Sequence, residues 1–396
     1  MAMRRSNTQH TKVDQTNKLL DVHLMVVLNH GSTLASWDQA GIYEREMAVY
    51  RRLSKRLRQI SLVTWSKGDD EEYKEDLAPI QVIYNEKAWR ARIWKMIFWW
   101  QFPQYKAKNL VLKTNQMPGA DWVASLAQRV DAPLIARCGY MWSLNAKRSD
   151  GENSAQARKA LATEKKAFDY ADQIVMTCPT MRDYIVETHH VSGEKINIVP
   201  NYIDTALFFP DQLPVPQYDV DNTPLRLLAI SRLTAHKNVS VLLEAAARCG
   251  DFIIDIVGDG QERNELHELA NKLNLDVTFH GILPHAQLPD LMRRADIYAL
   301  PSFYEGHPKT LIEAMACGCA VLGSDVPGIR EVIDDGRNGL LREPSVDGFR
   351  DGLASLQKQA VRRRLGGAAA KFAHERYALD HYVDRITEII KNTIRT

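Results

Sequence analysis

An α/β protein of two doubly wound domains, with parallel sheets facing each other across a cleft, is the fold this sequence predicts. Short apolar runs alternate with helical patterns, and they do so twice along the chain. Continuous apolar strands between helices mean parallel sheets covered on both faces. The length, 396 residues, exceeds what one hydrophobic core supports. A stretch with four prolines and little periodicity, 206–224, separates the two halves and reads as a linker.

The first half offers strands at 21–28, 60–65, 109–114, 133–138, 173–177 and 196–200, with helical patterns at 42–57, 119–130 and 154–171. The second half offers strands at 225–231, 252–257, 277–281, 296–300, 319–323 and 338–342. This divides the chain into a polar tail (1–18), a first doubly wound domain (19–205), the linker (206–224), a second doubly wound domain (225–371) and a C-terminal helical pattern (372–396). That last pattern either finishes the second domain or crosses back to the first. In such folds ligands bind outside the carboxyl ends of the strands.

Composition narrows the class. Hydrophobic content of 45% and charged content of 25% are those of a globular protein. A net charge of +2 argues against a dedicated nucleic-acid binder. The N-terminus is polar, with no secretory signal, and no apolar run is long enough to span a bilayer. The expected location is cytoplasmic. Five cysteines, an odd number without zinc-site spacing, read as small buried residues in a reducing compartment.

Glu305 and Glu313, with seven residues between them in EGHPKTLIEAMACG (305–318), are the most informative pair in the chain. An apolar run ending near Ser302 precedes them, and from about Pro308 the pattern is helical, with Gly318 as the stop. One carboxylate therefore lies on the loop before a helix and the other on the helix itself. Between them are the helix's first N–H groups, which favour an anion. A nucleotide-sugar fits: diphosphate at the helix start, sugar hydroxyls at one carboxylate, ribose hydroxyls at the other. Upstream, AISRLTAHKN (229–238) places Arg232 and Lys237 on a strand-to-helix loop, where two cations suit a diphosphate. IVGDGQER (256–263) has Gly258 and Gly260 but Arg263 where a dinucleotide fingerprint needs its third glycine. A tight turn that lets backbone approach a ligand is the modest reading there.

Together SRLTAHKN, IVGDGQER, VTFHGIL, ADIYALPSFYEGHPKTLIEAMACG and VPGIREVIDDGRNGLL resemble the retaining glycosyltransferases of family 4, the group 1 glycosyl transferases of GT-B fold. They occur in the family's order over about 110 residues. DQAGIYERE (38–46), FDYADQIVMT (168–177) and IVPNYIDTALFFP (198–210) resemble the first domain more loosely. The resemblance implies two Rossmann-like domains and transfer of a hexosyl unit from a nucleotide-sugar, a UDP-sugar, to a carbohydrate or lipid-linked glycan, as in cell-surface polysaccharide or lipopolysaccharide synthesis. It implies that Arg232 and Lys237 hold the diphosphate, Glu305 the sugar hydroxyls and Glu313 the ribose. Backbone from His307 through Pro308 and Lys309 to Thr310 would cradle phosphate and sugar, Ile282 and Leu283 would border the base, and Gly41 would approach the donor.

One departure concerns the loop after the 133–138 strand. Many relatives carry a histidine there, where this chain has Gly139 or Tyr140. Arg137, Tyr140 and Ser143 are the acceptor-side candidates, with Trp37 in the loop 29–41. No metal is expected, because Asp219 and Asp221 read as a solvated pair in the linker and the cations supply the charge. No cofactor and no nucleic-acid partner are expected. Three rival readings remain: a nucleotide-sugar isomerase of 2-epimerase type, a non-catalytic sugar-nucleotide binding protein, and an NAD-dependent oxidoreductase.

KAWRARIWKMIFWWQFPQYKAK (87–108) holds four of the eight tryptophans and six Lys/Arg. A peripheral contact with the inner-membrane surface or with a lipid-linked acceptor is one reading. A helix packing its aromatics on the first sheet is favoured, because Trp89, Trp94 and Trp99 should point three ways and leave no clean apolar face.

Overall fold

The computed structural model describes residues 20–101, 109–210 and 224–394. The N-terminal tail and most of the expected linker, with Asp219 and Asp221, lie outside the described residues. The strands are β1 (Leu20–Val27), β2 (Leu57–Val63), β3 (Gln81–Ile83), β4 (Leu110–Thr114), β5 (Leu134–Cys138), β6 (Gln173–Met176), β7 (Ile196–Ile198), β8 (Leu225–Ile230), β9 (Phe252–Val257), β10 (Asp276–Gly281), β11 (Ile297–Leu300), β12 (Ala320–Ser324) and β13 (Leu340–Arg342).

Two parallel sheets result. One has the order β3-β2-β1-β4-β5-β6-β7 and the other β10-β9-β8-β11-β12-β13. Each grows outward in one direction, then returns past its first strand and grows in the other. The reversal falls between β1 and β4 in the first sheet and between β8 and β11 in the second. There, two neighbouring loops leave the strand ends on opposite faces of the sheet and open a crevice. The inner strands are buried almost throughout: β4, β5, β11 and β12 have no exposed residue. Helices cover both faces, and each domain divides its core into two clusters, one on each side of its sheet.

The sequence missed β3, because three residues at a sheet edge show no periodicity. It also began β2 three residues late, so the helix Tyr43–Leu53 ends sooner than the 42–57 pattern suggested. The expected linker starts too early: Ile203, Leu207 and Phe208 pack in the second domain's core. The C-terminal pattern is two helices rather than one. Gln359–Tyr377 belongs to the second domain, the chain breaks at Ala378, and Leu379–Thr393 follows. Ile203 receives the break, donating its N–H to the Tyr377 carbonyl (2.8 Å) and accepting from the Leu379 N–H (2.9 Å). Leu379, Tyr382, Val383, Ile386, Ile389 and Ile390 then fill the first domain's core. The chain therefore crosses between domains twice at one place.

Gly258 and Gly260 stand where two loops pack tightly together. Gly258 has φ +127, and a Cβ there would lie 1.9 Å from the Ser231 carbonyl oxygen. At Gly260 a Cβ would lie 2.2 Å from the Leu233 oxygen. The loop after β9 thus packs backbone to backbone against the loop after β8 and holds it in place.

The 91–101 helix packs aromatics on the first domain's core, as the favoured reading expected, but it also has an exposed apolar face. Trp94 and Phe98 are buried with Trp65 and Trp122, whereas Ile93, Met96 and Trp100 are exposed on another face.

Replacing Gly258 by Ala should cost roughly 1–3 kcal/mol through overpacking and a strained backbone. The expected result is a lower thermal unfolding midpoint in calorimetry. An unchanged midpoint would mean that the two loops do not touch.

Candidate active site

The residues that the two glutamates and two cations were expected to join do converge, at the carboxyl ends of β8 and β11. After β8 the chain makes a short 3-10 turn, Ala235–Lys237, which ends on Asn238 in the left-handed conformation. The Asn238 amide donates to the Pro301 carbonyl (3.1 Å) and so ties this loop to the one after β11. Phe303 N–H donates to the His236 carbonyl (2.9 Å) and makes a second tie. These ties bring the Lys237 ammonium to 2.5 Å from a Glu305 carboxylate oxygen, which also accepts from the Ser302 hydroxyl (2.7 Å). Arg232 is exposed beside them.

The backbone under Glu305 is fixed from below. A Cβ on Gly328 would lie 2.3 Å from the carbonyl oxygens of both Glu305 and Gly306. Gly306 in turn faces the first domain, where a Cβ would meet the Met181 side chain at 2.5 Å and the Gly139 carbonyl at 3.2 Å. Here a small residue lets the two domains meet without displacing the Met181 side chain. Tyr140, on the same first-domain loop, is partly buried. Burial pushes its phenol up, and the Arg232 guanidinium pulls it partly back.

The helix Lys309–Ala316 begins after Pro308 without a side-chain cap, so its first N–H groups are left for a ligand or water. The side chains of its first turn turn away from that space. His307 is buried edge-on to Tyr377 (5.1 Å), its carbonyl accepts from the Asn201 amide (2.6 Å), and burial lowers its ring to about 4. The Thr310 hydroxyl bonds Tyr298 (2.7 Å) and the Ile230 carbonyl (3.3 Å). Lys309 reaches the first domain and pairs with Glu46.

Glu313 lies one turn deeper, with its side chain 1% exposed. One oxygen is 2.9 Å from His285 Nε2 and 3.9 Å from an Arg45 nitrogen of the first domain. The other, Oε2, is buried without a hydrogen-bond partner. A cavity of about 350 Å³ opens beside it, lined by Arg45, Arg52, Tyr202, Asp204, His285 and Glu313 among others. A smaller one, about 260 Å³, is lined by Gly41, Tyr43, Ile282 and His285. Gly41 has φ +68, and a Cβ there would lie 2.5 Å from the Leu283 carbonyl oxygen. Gly41, Ile282, Leu283 and Glu313 thus meet at one end of the cleft, and Arg232, Lys237, Glu305 and Tyr140 at the other.

Three expected acceptor-side residues are elsewhere. Trp37 is 6% exposed and packs in the first core with Leu34 and Tyr43. Arg137 is buried on β5, donates to the Asn115 carbonyl (3.0 Å) and answers the Glu46 charge. Ser143 is buried against Tyr184 (3.1 Å), and its N–H donates to Glu164 (2.8 Å).

Sequence reasoning missed Arg45, Glu46 and His285, which have no spacing signal, and Tyr304. The Tyr304 ring is stacked on His236 (4.9 Å), and the first domain's Arg148 guanidinium lies over it (4.3 Å). Sequence distance hides such contacts between domains.

Two parallel-sheet domains with cations and carboxylates at facing strand ends define a GT-B protein. The Glycosyltransferase Family 4 description matches residues 47–207, and Glycosyl transferases group 1 matches 215–372. The chain belongs to this glycosyltransferase family. It is 27% identical to alpha-maltose-1-phosphate synthase of Mycolicibacterium smegmatis over 252 residues, covering 58% of this chain and 65% of that one. The match thus spans about two thirds of that relative. Sucrose-phosphate synthase from Thermosynechococcus elongatus superposes with a TM-score of 0.75 at 18% identity, covering 94% of this chain and 98% of that one. Anabaena HepE, solved with UDP and glucose, gives 0.75 at 18% identity, over 94% and 100%. These two likenesses concern the fold.

The seam between domains carries a pH prediction. Burial opposes the Glu46 charge, but Lys309, Arg45 and Arg137 outweigh it and hold the carboxyl at about 2, below its ordinary 4.5. The folded state therefore binds fewer protons than the unfolded state between those values. The stability this gives is fully present above pH 4.5 and is lost as the pH falls toward 2. Glu46→Gln should cost roughly 2–4 kcal/mol at pH 7, because it leaves Lys309 buried without its partner. Urea unfolding should show a shallower decline below pH 4.5 in the variant. An equally steep decline would place the acid sensitivity elsewhere.

Proposed function

We propose that this chain is a retaining hexosyltransferase, taking a hexosyl unit from a UDP-sugar to a carbohydrate or lipid-linked glycan of the cell surface. The observation that supports it most is the Lys237–Glu305 pair. It stands where strand order reverses, beside the uncapped start of the 309–316 helix. In this reading the diphosphate lies against the helix's N–H groups with Arg232 and Lys237, so that charge developing on the leaving group meets fixed positive charge. Lys237 has three donors, and one on Glu305 leaves two for phosphate. Glu305 binds sugar hydroxyls next to the reacting carbon.

The ribose lies at the other end. There Glu313 Oε2 is the buried acceptor that two hydroxyls would satisfy, while His285 and Arg45 hold the opposite oxygen. The acceptor hydroxyl attacks the anomeric carbon from the face that the phosphate oxygen leaves. The carbon–oxygen bond to the acceptor forms as the bond to phosphate breaks, and the acceptor proton passes to the departing phosphate. The stereochemical outcome is retention. An isomerase on the same fold would need no acceptor, so incubation of donor alone should return it unchanged. An epimer appearing without acceptor would overturn transfer.

The two glutamates separate the roles. Glu305→Gln removes charge that supports positive character at the reacting carbon, so kcat should fall by roughly 10²–10³, with free UDP bound nearly as in the parent. Glu313→Gln weakens a contact present in ground and transition states alike, so the donor KM should rise with a smaller change in kcat. Titration calorimetry with UDP checks both, and the reverse pattern would exchange the assignments.

Turnover should also persist in excess EDTA, because side chains and a helix start supply the positive charge. Complete loss that Mn²⁺ or Mg²⁺ restores would require a metal in the reaction.

A further inference from the structure

The 91–101 helix has two faces of different character. On one, Trp94 and Phe98 are buried in a cluster with Trp65 and Trp122, with ring centroids 5.2–6.1 Å apart. Lys95 lies over the Trp65 and Trp122 rings (5.2 and 5.5 Å) and closes that side. On the other, Ile93, Met96 and Trp100 are 42%, 67% and 76% exposed. Their spacing, i, i+3 and i+7, makes one stripe along the helix. Among the described residues Trp100 and Met96 are the two most exposed large apolar side chains. A contiguous apolar stripe of this kind, rimmed by charged residues, marks an interaction surface.

The flanks of the stripe are cationic. Arg90 and Arg92 are both exposed and fall on either side of it at helical spacing, with Lys87 just before. The aromatic cluster behind the helix runs into the cleft. Trp65 donates its indole N–H to the Leu28 carbonyl (3.0 Å), and the His30 ring is edge-on to Trp65 (4.4 Å). Leu28 and His30 form the loop that leaves β1 at the reversal point of the first sheet. The exposed stripe is therefore mechanically joined to the first domain's side of the cleft.

We infer that this helix docks the first domain on the surface of an anionic lipid bilayer. Ile93, Met96 and Trp100 enter the boundary between headgroups and acyl chains, and Lys87, Arg90 and Arg92 meet lipid phosphates. Eleven residues at about 1.5 Å each cover about 16 Å, half of a hydrocarbon core of about 30 Å, so the helix lies in the interface and does not span it. No helix among the described residues is long and apolar enough to cross a membrane. Charge selects this occupant over an apolar protein partner, since cations on both flanks of an apolar stripe match a surface that is anionic outside and apolar beneath. The inference stands on this surface alone, whichever sugar the site transfers. If transfer is to a lipid-linked glycan, docking here would present the acceptor to the β1 loop.

The test is co-sedimentation of the full chain with vesicles of phosphatidylcholine alone or mixed with phosphatidylglycerol. Binding to the mixed vesicles, weakened by salt, is expected. Met96→Ser with Trp100→Ser should weaken it at least tenfold. Arg90→Gln with Arg92→Gln should weaken it by roughly fivefold per residue, and only on the anionic vesicles. Val186→Ser, at an exposed apolar position on another helix, should change nothing. All five positions are solvent-facing, and circular dichroism with UDP titration would confirm that each variant is folded and its nucleotide end intact. Failure of UDP binding in the parent would count against the transferase reading and leave the docking result standing. Equal binding by parent and Met96/Trp100 variant, or none by the parent, would overturn the inference. So would a dimer in the absence of lipid that the Met96/Trp100 variant abolishes, since the stripe would then cover a second copy.

Discussion

The cleft depends on a pair of ionic contacts between two helices of different domains. Glu46 and Arg45 are consecutive on the 43–53 helix. Lys309 and Glu313 stand one turn apart on the 309–316 helix. Glu46 takes Lys309, and Arg45 lies 3.9 Å from Glu313. Both contacts are largely out of water, so neither helix can move without leaving a charge unpaired. Burial alone would bring Lys309 down, and even with Glu46 beside it the ammonium sits at about 8. Such a seam is specific in register, because a slip of one residue on the 43–53 helix would set like charges together, and a slip on the 309–316 helix would leave both first-domain charges facing uncharged side chains.

The seam also explains why some candidate residues are where they are. Arg137 sits under Glu46 as a buried counter-charge rather than in the cleft. Lys309, first in its helix, spends its ammonium on the other domain and leaves only its N–H to the site. Glu313 keeps one oxygen for His285 and Arg45 and one without a partner. A carboxylate with one oxygen anchored and the other open is pre-positioned for a pair of hydroxyls.

Around this seam the chain is closed by its own path. Ile203 and Leu379 hydrogen-bond where the two domain crossings meet, and the last helix then fills the first domain's core. Arg52 and Arg56 on the first domain pair with Asp380 and Asp384 on that helix. Small residues do the rest: Gly41 against Leu283, Gly306 against Gly139, Gly328 under Glu305. At Gly41 and Gly328 two backbones approach too closely for a Cβ, and at Gly306 a Cβ would crowd the Met181 side chain.

Much was legible from the chain alone. Buried parallel strands are apolar throughout and helices are periodic, so twelve of the thirteen strands announce themselves locally, as does the helix stop at Gly318. Arg232, Lys237, Glu305 and Glu313 could be singled out because three lie on loops at strand ends and the fourth lies one turn into the helix that follows, and the fold must bring those ends together. The sequence could not say which neighbour a side chain would choose. Trp37 and Ser143 went to the core, Arg137 beneath Glu46, and Gly258 to the Ser231 carbonyl, because packing and charge compensation act across long sequence separations. The exposed stripe on the 91–101 helix was hidden for the same reason: only the position of the Trp65–Trp122 cluster decides which face turns inward. Local periodicity thus determined the elements and the candidate loops at their ends, and tertiary contact decided which polar groups remain open to the cleft.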